Sequence, residues 1–146
     1  MLSINSYTPT SLLSDQTQNN VVDFLFKQLE QYGDPKENIR KALNYALGVD
    51  DKPGGYVIVG EVEGAIMGVV IVNITGMTGY IPENILVYIA THKDGRGKGY
   101  GKSLMQTAID VTEGSIALHV EPENSAKRLY EKLGFTNKYL EMRLQK

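Results

Sequence analysis

At 146 residues the chain is long enough for one domain with a sizeable core. Its net charge of -2 lacks the basic excess that nucleic acid or an anionic membrane surface selects, so neither is expected as a partner. With no cysteine there is neither a disulfide framework nor a thiolate nucleophile, and two histidines (His92 and His119) exclude a three-histidine metal site; no metal is expected.

The opening MLSINSYTPT has no basic segment or long apolar run of a signal peptide, and no stretch approaches the roughly 20 apolar residues of a membrane span. A cytoplasmic location is the expectation. After a short apolar start at Leu2 to Ile4, Val21, Val22, Leu25, Phe26 and Leu29 recur at helical spacing. A second helix follows, with Asp34 as cap, Pro35 in the first turn and Glu37 completing a capping box. Ile39, Leu43, Ala46 and Leu47 form its apolar stripe, and Gly48 ends it.

Tyr56 to Val62 and Ala65 to Ile74 read as strands joined by a tight turn at Glu63-Gly64. Ile85 to Thr91 is a third apolar run of strand length. A glycine-rich turn then leads into a helix bearing Leu104, Met105, Ala108 and Ile109, and Ile116 to Val120 is another strand. Asn124 caps a helix carrying Ala126, Leu129 and Leu133, closed by Gly134, and Lys138 to Leu144 is expected as a final strand. An early hairpin followed by strand-helix-strand units predicts one α/β domain over residues 1–146 with a mixed sheet.

The segment Gly95-Arg96-Gly97-Lys98-Gly99-Tyr100-Gly101-Lys102-Ser103 carries the most chemistry. Four alternating glycines remove the β-carbons that keep backbone away from a ligand. The helix that follows offers unpaired N–H groups and a positive dipole end, which suit a phosphate or pyrophosphate. Arg96, Lys98 and Lys102 add positive charge; the bland alternative is a flexible, solvated turn. A P-loop register fails by one residue, because its first glycine falls on Arg96. A dinucleotide fingerprint fails as well, landing on Tyr100 or Lys102.

The pattern that fits is [RQ]-x-x-G-x-[GA], read as Arg96, Gly99 and Gly101. In this register the segment resembles the acetyl-CoA pyrophosphate loop of the GNAT superfamily of N-acetyltransferases. A second block, Asn124-Ser125-Ala126-Lys127-Arg128-Leu129-Tyr130-Glu131-Lys132-Leu133-Gly134-Phe135, is similar to the family's N-x-A-x-x-L-Y-E-x-L-G-F. The two blocks and their spacing cover about the C-terminal half of the chain. Thr91 and Lys93 depart from the valine and proline frequent in the family.

The resemblance implies a GNAT-like α/β (α+β) fold: a central, mixed, mostly antiparallel sheet with helices on both faces. It implies acetyl-CoA as cosubstrate, with its pyrophosphate held by the amides from Gly97 through Lys98, Gly99, Tyr100 and Gly101 to Lys102, beside Arg96. It also implies that Ile89, Ala90 and Thr91 pair their main chain with the pantetheine arm. Asn124 gains a possible CoA contact beyond its ordinary role as a helix cap. Tyr130, read without the family as an amphipathic core tyrosine, becomes the acid that meets the departing sulfur.

The expected reaction is direct attack of a primary amine on the thioester. An amine of pKa near 10.4 is neutral in roughly 1 of 2,500 molecules at pH 7, a deficit of about 4.6 kcal/mol, so a base or water relay is required. A main-chain amide around Ile89 or Ala90 would stabilise the oxyanion. Glu83 and His119 are candidate bases; the first also reads as a solvated loop carboxylate and the second as a packed, hydrogen-bonded histidine. The acceptor is a small-molecule or peptide amine, and a homodimer is a further expectation from similar proteins. The rival functions are a noncatalytic acyl-CoA-binding or regulatory domain and a nucleotide-binding protein.

Overall fold

Two long β-branched runs alternate so regularly that each strand supplies both faces of a sheet. In the computed structural model, which describes residues 1–146, they are β2 (Gly55–Val62) and β3 (Ala65–Ile74). Val57, Val59, Val69 and Ile71 point to one face and Ile58, Val70 and Val72 to the other, all at most 1% exposed. The turn between these strands is the expected tight one. Glu63 and Gly64 both take positive φ, 50° and 81°, the combination that matches strand twist in a two-residue hairpin.

The sheet order is β1-β2-β3-β4-β5, with β1 Ser3–Tyr7, β4 Asn84–Thr91 and β5 Ile116–Leu118. All pairings are antiparallel except β4 with β5, so the sheet is mixed and mostly antiparallel. β1 is absent from the sequence expectation, because its SINSY has little apolar alternation; it is a largely exposed edge held by pairing to β2.

Helices α1 (Asp15–Leu29) and α2 (Lys36–Ala46) cover the first face, burying Val21, Val22, Leu25, Ile39, Leu43 and Ala46. Helices α3 (Tyr100–Val111) and α4 (Ala126–Lys132) cover the second with Leu104, Met105, Ala108 and Tyr130. Gly48, at φ 75°, follows α2 as expected. No helix is long and apolar enough to cross a membrane.

Three expectations are corrected. Asp34 does not cap α2: Pro35 occupies the cap position without a side-chain bond, and the Asp34 carboxylate turns to a tyrosine on β4. The strand expected over Ile116 to Val120 stops at Leu118, since β5 is an edge strand paired on one side over only three residues. Lys138 to Leu144 forms no strand at all. Its Tyr139, Leu140, Met142 and Leu144 are 79–90% exposed, so the alternating pattern is not used to cover any surface of the chain.

Candidate active site

β4 has two different edges. Towards β3 it pairs from Asn84 to Thr91 with one interruption, but towards β5 it pairs only at Asn84, Ile85 and Leu86. A bulge leaves Val87 without a partner, because Ile71 faces Tyr88 and Val72 faces Leu86. Because β5 pairs only as far as Leu86, the outer edge from Val87 to Thr91 is unpaired, and the main chain of Ile89, Ala90 and Thr91 is open to an extended ligand on that side. Thr91 lies within the strand despite its departure from family usage.

The chain then turns sharply. His92 Nδ1 accepts from the amide of Asp94, and Lys93–Gly95 form one tight helical turn. The Lys93 amide is held by the Gln28 side chain of α1 at 3.1 Å, which anchors the start of the loop. Gly97 and Gly99 adopt φ of 83° and 80° with open space where a Cβ would lie, so conformation and not crowding demands glycine there. At Gly101 a Cβ would sit 3.8 Å from Thr91 and 3.5 Å from Leu129, the point where α3 comes close to β4 and α4.

The amides of Gly97, Gly99, Tyr100, Gly101 and Lys102 donate to no group in the protein. Three of them open α3, whose cap residue Gly99 supplies no side-chain bond. These donors share a turn with Arg96, Lys98 and Lys102, so backbone dipoles and side-chain charges favour the same anionic ligand. A pyrophosphate fits this donor set.

Tyr130 projects from α4 into the second core face and is 7% exposed. Its ring meets Phe135 edge-on at 6.1 Å. The hydroxyl makes no hydrogen bond within the chain, whereas the fully enclosed unpartnered polar atoms are Asn73 Oδ1 and Thr112 Oγ1. The Tyr130 hydroxyl is thus an available donor at the edge of the core. Burial pushes its pKa up to about 12. The cap position of α4 is Ser125, which makes no side-chain bond; Asn124, the expected cap, lies one residue earlier, where its Oδ1 accepts from the Ala126 amide at 2.9 Å and its amide nitrogen is left free.

The two carboxyl and imidazole candidates sit differently. Glu83 Oε1 accepts from the Ser115 amide at 2.7 Å, and Oε2 from Thr78 Oγ1 at 2.9 Å. The Ser115 bond above all, then Thr78, holds this exposed carboxyl below its usual range, and both oxygens brace neighbouring loops. His119 instead follows β5 and lines a cavity of about 190 Å³ together with Asp34, Ala42, Ile85, Leu86, Val87 and Tyr88. A larger hollow of about 260 Å³ lies beyond α2, lined by Lys41, Asn44, Tyr45, Val49, Asp50 and Lys52. It shares no residue with β4, and the smaller cavity is the one beside the open strand edge. Tyr88 and Asp34 were not legible as site residues: they meet across 54 positions, and neither belongs to a short motif.

A family model described as an acetyltransferase (GNAT) domain matches residues 53–137, more than half of the chain. No curated protein matches the sequence significantly. Among solved structures, the ribosomal-protein-S18-alanine N-acetyltransferase from Escherichia coli aligns with a TM-score of 0.70 at 17% identity, covering 95% of this chain and 80% of that one. The aminoglycoside N-acetyltransferase AAC(6')-Iy in complex with CoA aligns with a TM-score of 0.69 at 16% identity, over 100% and 95%. A transcriptional regulator from Bacillus halodurans C-125 aligns with a TM-score of 0.71 at 20% identity, over 99% of each. Similarity at these identities shows a shared fold.

Proposed function

This chain belongs to the GNAT family of acetyltransferases, and from that premise we propose that it moves the acetyl group of acetyl-CoA to a primary amine by direct attack. The observation that carries the reading is the set of unpartnered amides at Gly97, Gly99, Tyr100, Gly101 and Lys102 beside the open edge of β4; the Lys98 amide, expected among them, donates instead to the Gly95 carbonyl at 3.2 Å. In this account those amides and Arg96 hold the pyrophosphate, while Ile89, Ala90 and Thr91 align the pantetheine arm. An amide near Ile89 or Ala90 receives the oxyanion as the amine adds to the carbonyl carbon.

The leaving thiolate is met by Tyr130. Full proton transfer from a phenol near 12 to a thiolate whose acid is near 8.5 is uphill by about 5 kcal/mol, so Tyr130 assists by hydrogen-bond donation while the C–S bond breaks. For the amine proton we favour His119, at the cavity, over Glu83, whose depressed pKa and occupied oxygens suit a structural carboxylate. Action in the cytoplasm and self-association as a homodimer belong to the same proposal.

Isothermal titration with acetyl-CoA and with ATP, followed by CoA release against a panel of amines, tests the reading. Binding of acetyl-CoA alone with amine-dependent release is expected. Tight binding without release for any amine would favour a regulatory acyl-CoA-binding role, and preference for ATP would remove both.

A further inference from the structure

The Tyr88 hydroxyl donates to Asp34 Oδ2 at 2.5 Å, joining β4 to the connection between α1 and α2. This contact takes Asp34 from the cap of α2, a position where an aspartate ordinarily contributes about 1 kcal/mol. The carboxylate has no cationic partner: the salt bridges of the molecule join Lys36 to Asp23, His92 to Asp94, Lys127 to Glu131 and Arg143 to Glu141. Burial, then the neighbouring carboxylate, pushes the Tyr88 phenol well above its usual range, so it stays a donor at neutral pH. One acidic charge is thereby held in a fixed orientation on the wall of a cavity whose other lining is Ala42, Ile85, Leu86, Val87 and His119.

We infer that Asp34, positioned by Tyr88, reads a second positive charge on the acceptor, so that the substrate class is an alkyl diamine. The inference rests on the proposed acetyl transfer, which sets where the reacting amine must be. That amine attacks at the main chain of Ile89–Ala90, whereas the Asp34 carboxylate stands a whole tyrosine side chain away from β4. A cation held there is therefore the distal one. The apolar lining takes the alkylene chain, and Asp34 Oδ1 and the Tyr88 hydroxyl oxygen remain as acceptors for the distal ammonium. The cavity, about 190 Å³, is small, which suits a short alkylene chain. A distal carboxylate would face Asp34 and be repelled.

The test compares butane-1,4-diamine, butylamine and 4-aminobutanoate, which share an attacking amine and differ at the far end. A value of kcat/KM about tenfold higher for the diamine than for butylamine is expected, with 4-aminobutanoate lowest. Asp34→Asn should bring the three within about twofold of one another while leaving acetyl-CoA affinity unchanged. Tyr88→Phe should raise KM for the diamine more than it lowers kcat. Independently of turnover, butane-1,4-diamine titrated into the protein should shift the methyl resonances of Ile85 and Val87, about tenfold more weakly in Asp34→Asn. Equal kcat/KM for all three amines, or diamine binding insensitive to Asp34→Asn, overturns the inference and leaves acetyl transfer standing. A protein that ignores acetyl-CoA overturns the proposed function, while the diamine titration still decides what Asp34 reads.

Discussion

Glu83 Oε1 accepts the Ser115 amide at 2.7 Å, tying the loop before β4 to the loop before β5. The bond holds the start of the only parallel pair in the sheet, where Asn84 also donates to the Ser115 and Glu113 carbonyls. The Glu83 carboxyl is lowered in the folded protein, chiefly by that bond, so the native state binds fewer protons than the unfolded chain. Its stabilisation is complete above the unfolded carboxylate pKa of about 4.3 and disappears as pH falls through the lower folded value. Thermal melts should show Glu83→Gln less stable than the parent at pH 7, with the gap closing towards pH 3. Turnover of the variant at 25 °C should stay within about threefold; a loss of about a hundredfold would make Glu83 the base after all.

Tyr130→Phe tests the hydrogen-bond donor proposed for the leaving thiolate. The ring packing against Phe135 survives the change and only an unpartnered hydroxyl is removed, so stability and acetyl-CoA affinity should hardly move. Turnover should fall by about a hundredfold, the low end for a positioned proton donor. With its pKa pushed up to about 12, Tyr130 should add no downward break to the pH–rate profile below about pH 11. Unchanged turnover would return Tyr130 to the core.

Gly99→Ala tests the loop through conformation alone. At φ 80° an alanine costs about 1–2 kcal/mol, although no atom lies where its Cβ would go. Relief of that strain should displace the amides at the start of α3 and raise the acetyl-CoA Kd about fivefold to tenfold. Gly64→Ala is the control, with φ 81° and equally open space at the β2–β3 hairpin. It should lower stability similarly and leave the Kd unchanged. Equal Kd in both variants would detach the loop from the cosubstrate.

The sequence was most readable where the physics is local. The β2–β3 hairpin follows from alternation and two turn residues, and the loop from Gly95 to Lys102 declares its backbone needs through glycine spacing. Asn124 and Gly48 act on the helices next to them, as their types require. What stayed hidden depends on distant partners. Asp34 looks like a cap until Tyr88, far along the chain, offers a better use for it. β1 is strand only because β2 has an edge to fill, and neither the bulge at Val87 nor the early end of β5 that leaves β4 open is marked in residue type.

Gly55→Ala should be the most costly small change in the sheet. Its backbone needs no unusual φ, so the constraint is space: a Cβ would lie 1.9 Å from the Val72 carbonyl oxygen across the β2–β3 pairing. Backbone cannot yield there without parting two central strands. A loss of about 2–3 kcal/mol is expected, or roughly 5–10 °C in Tm. An unchanged Tm would show that the strands separate easily at this end.

The segment from Lys138 to Leu144 has strand alternation without a strand. Leu140, Met142 and Leu144 would share one face and Tyr139, Glu141 and Arg143 the other. In the same chain the outer edge of β5 is unpaired, and Glu113, Glu121 and Glu123 flank it, opposite in sign to Lys138, Arg143 and Lys146. An exposed apolar strand pattern and an open edge of complementary charge would satisfy each other by strand addition between two copies, which is the form the proposed homodimer is expected to take. Light scattering should give a dimer for the full chain and a monomer for a chain ending at Asn137. A single Ala117→Cys, Met142→Cys double variant should form its disulfide between chains. A disulfide within one chain, together with a monomeric mass, would mean that the segment folds back on its own β5 and that no exchange occurs.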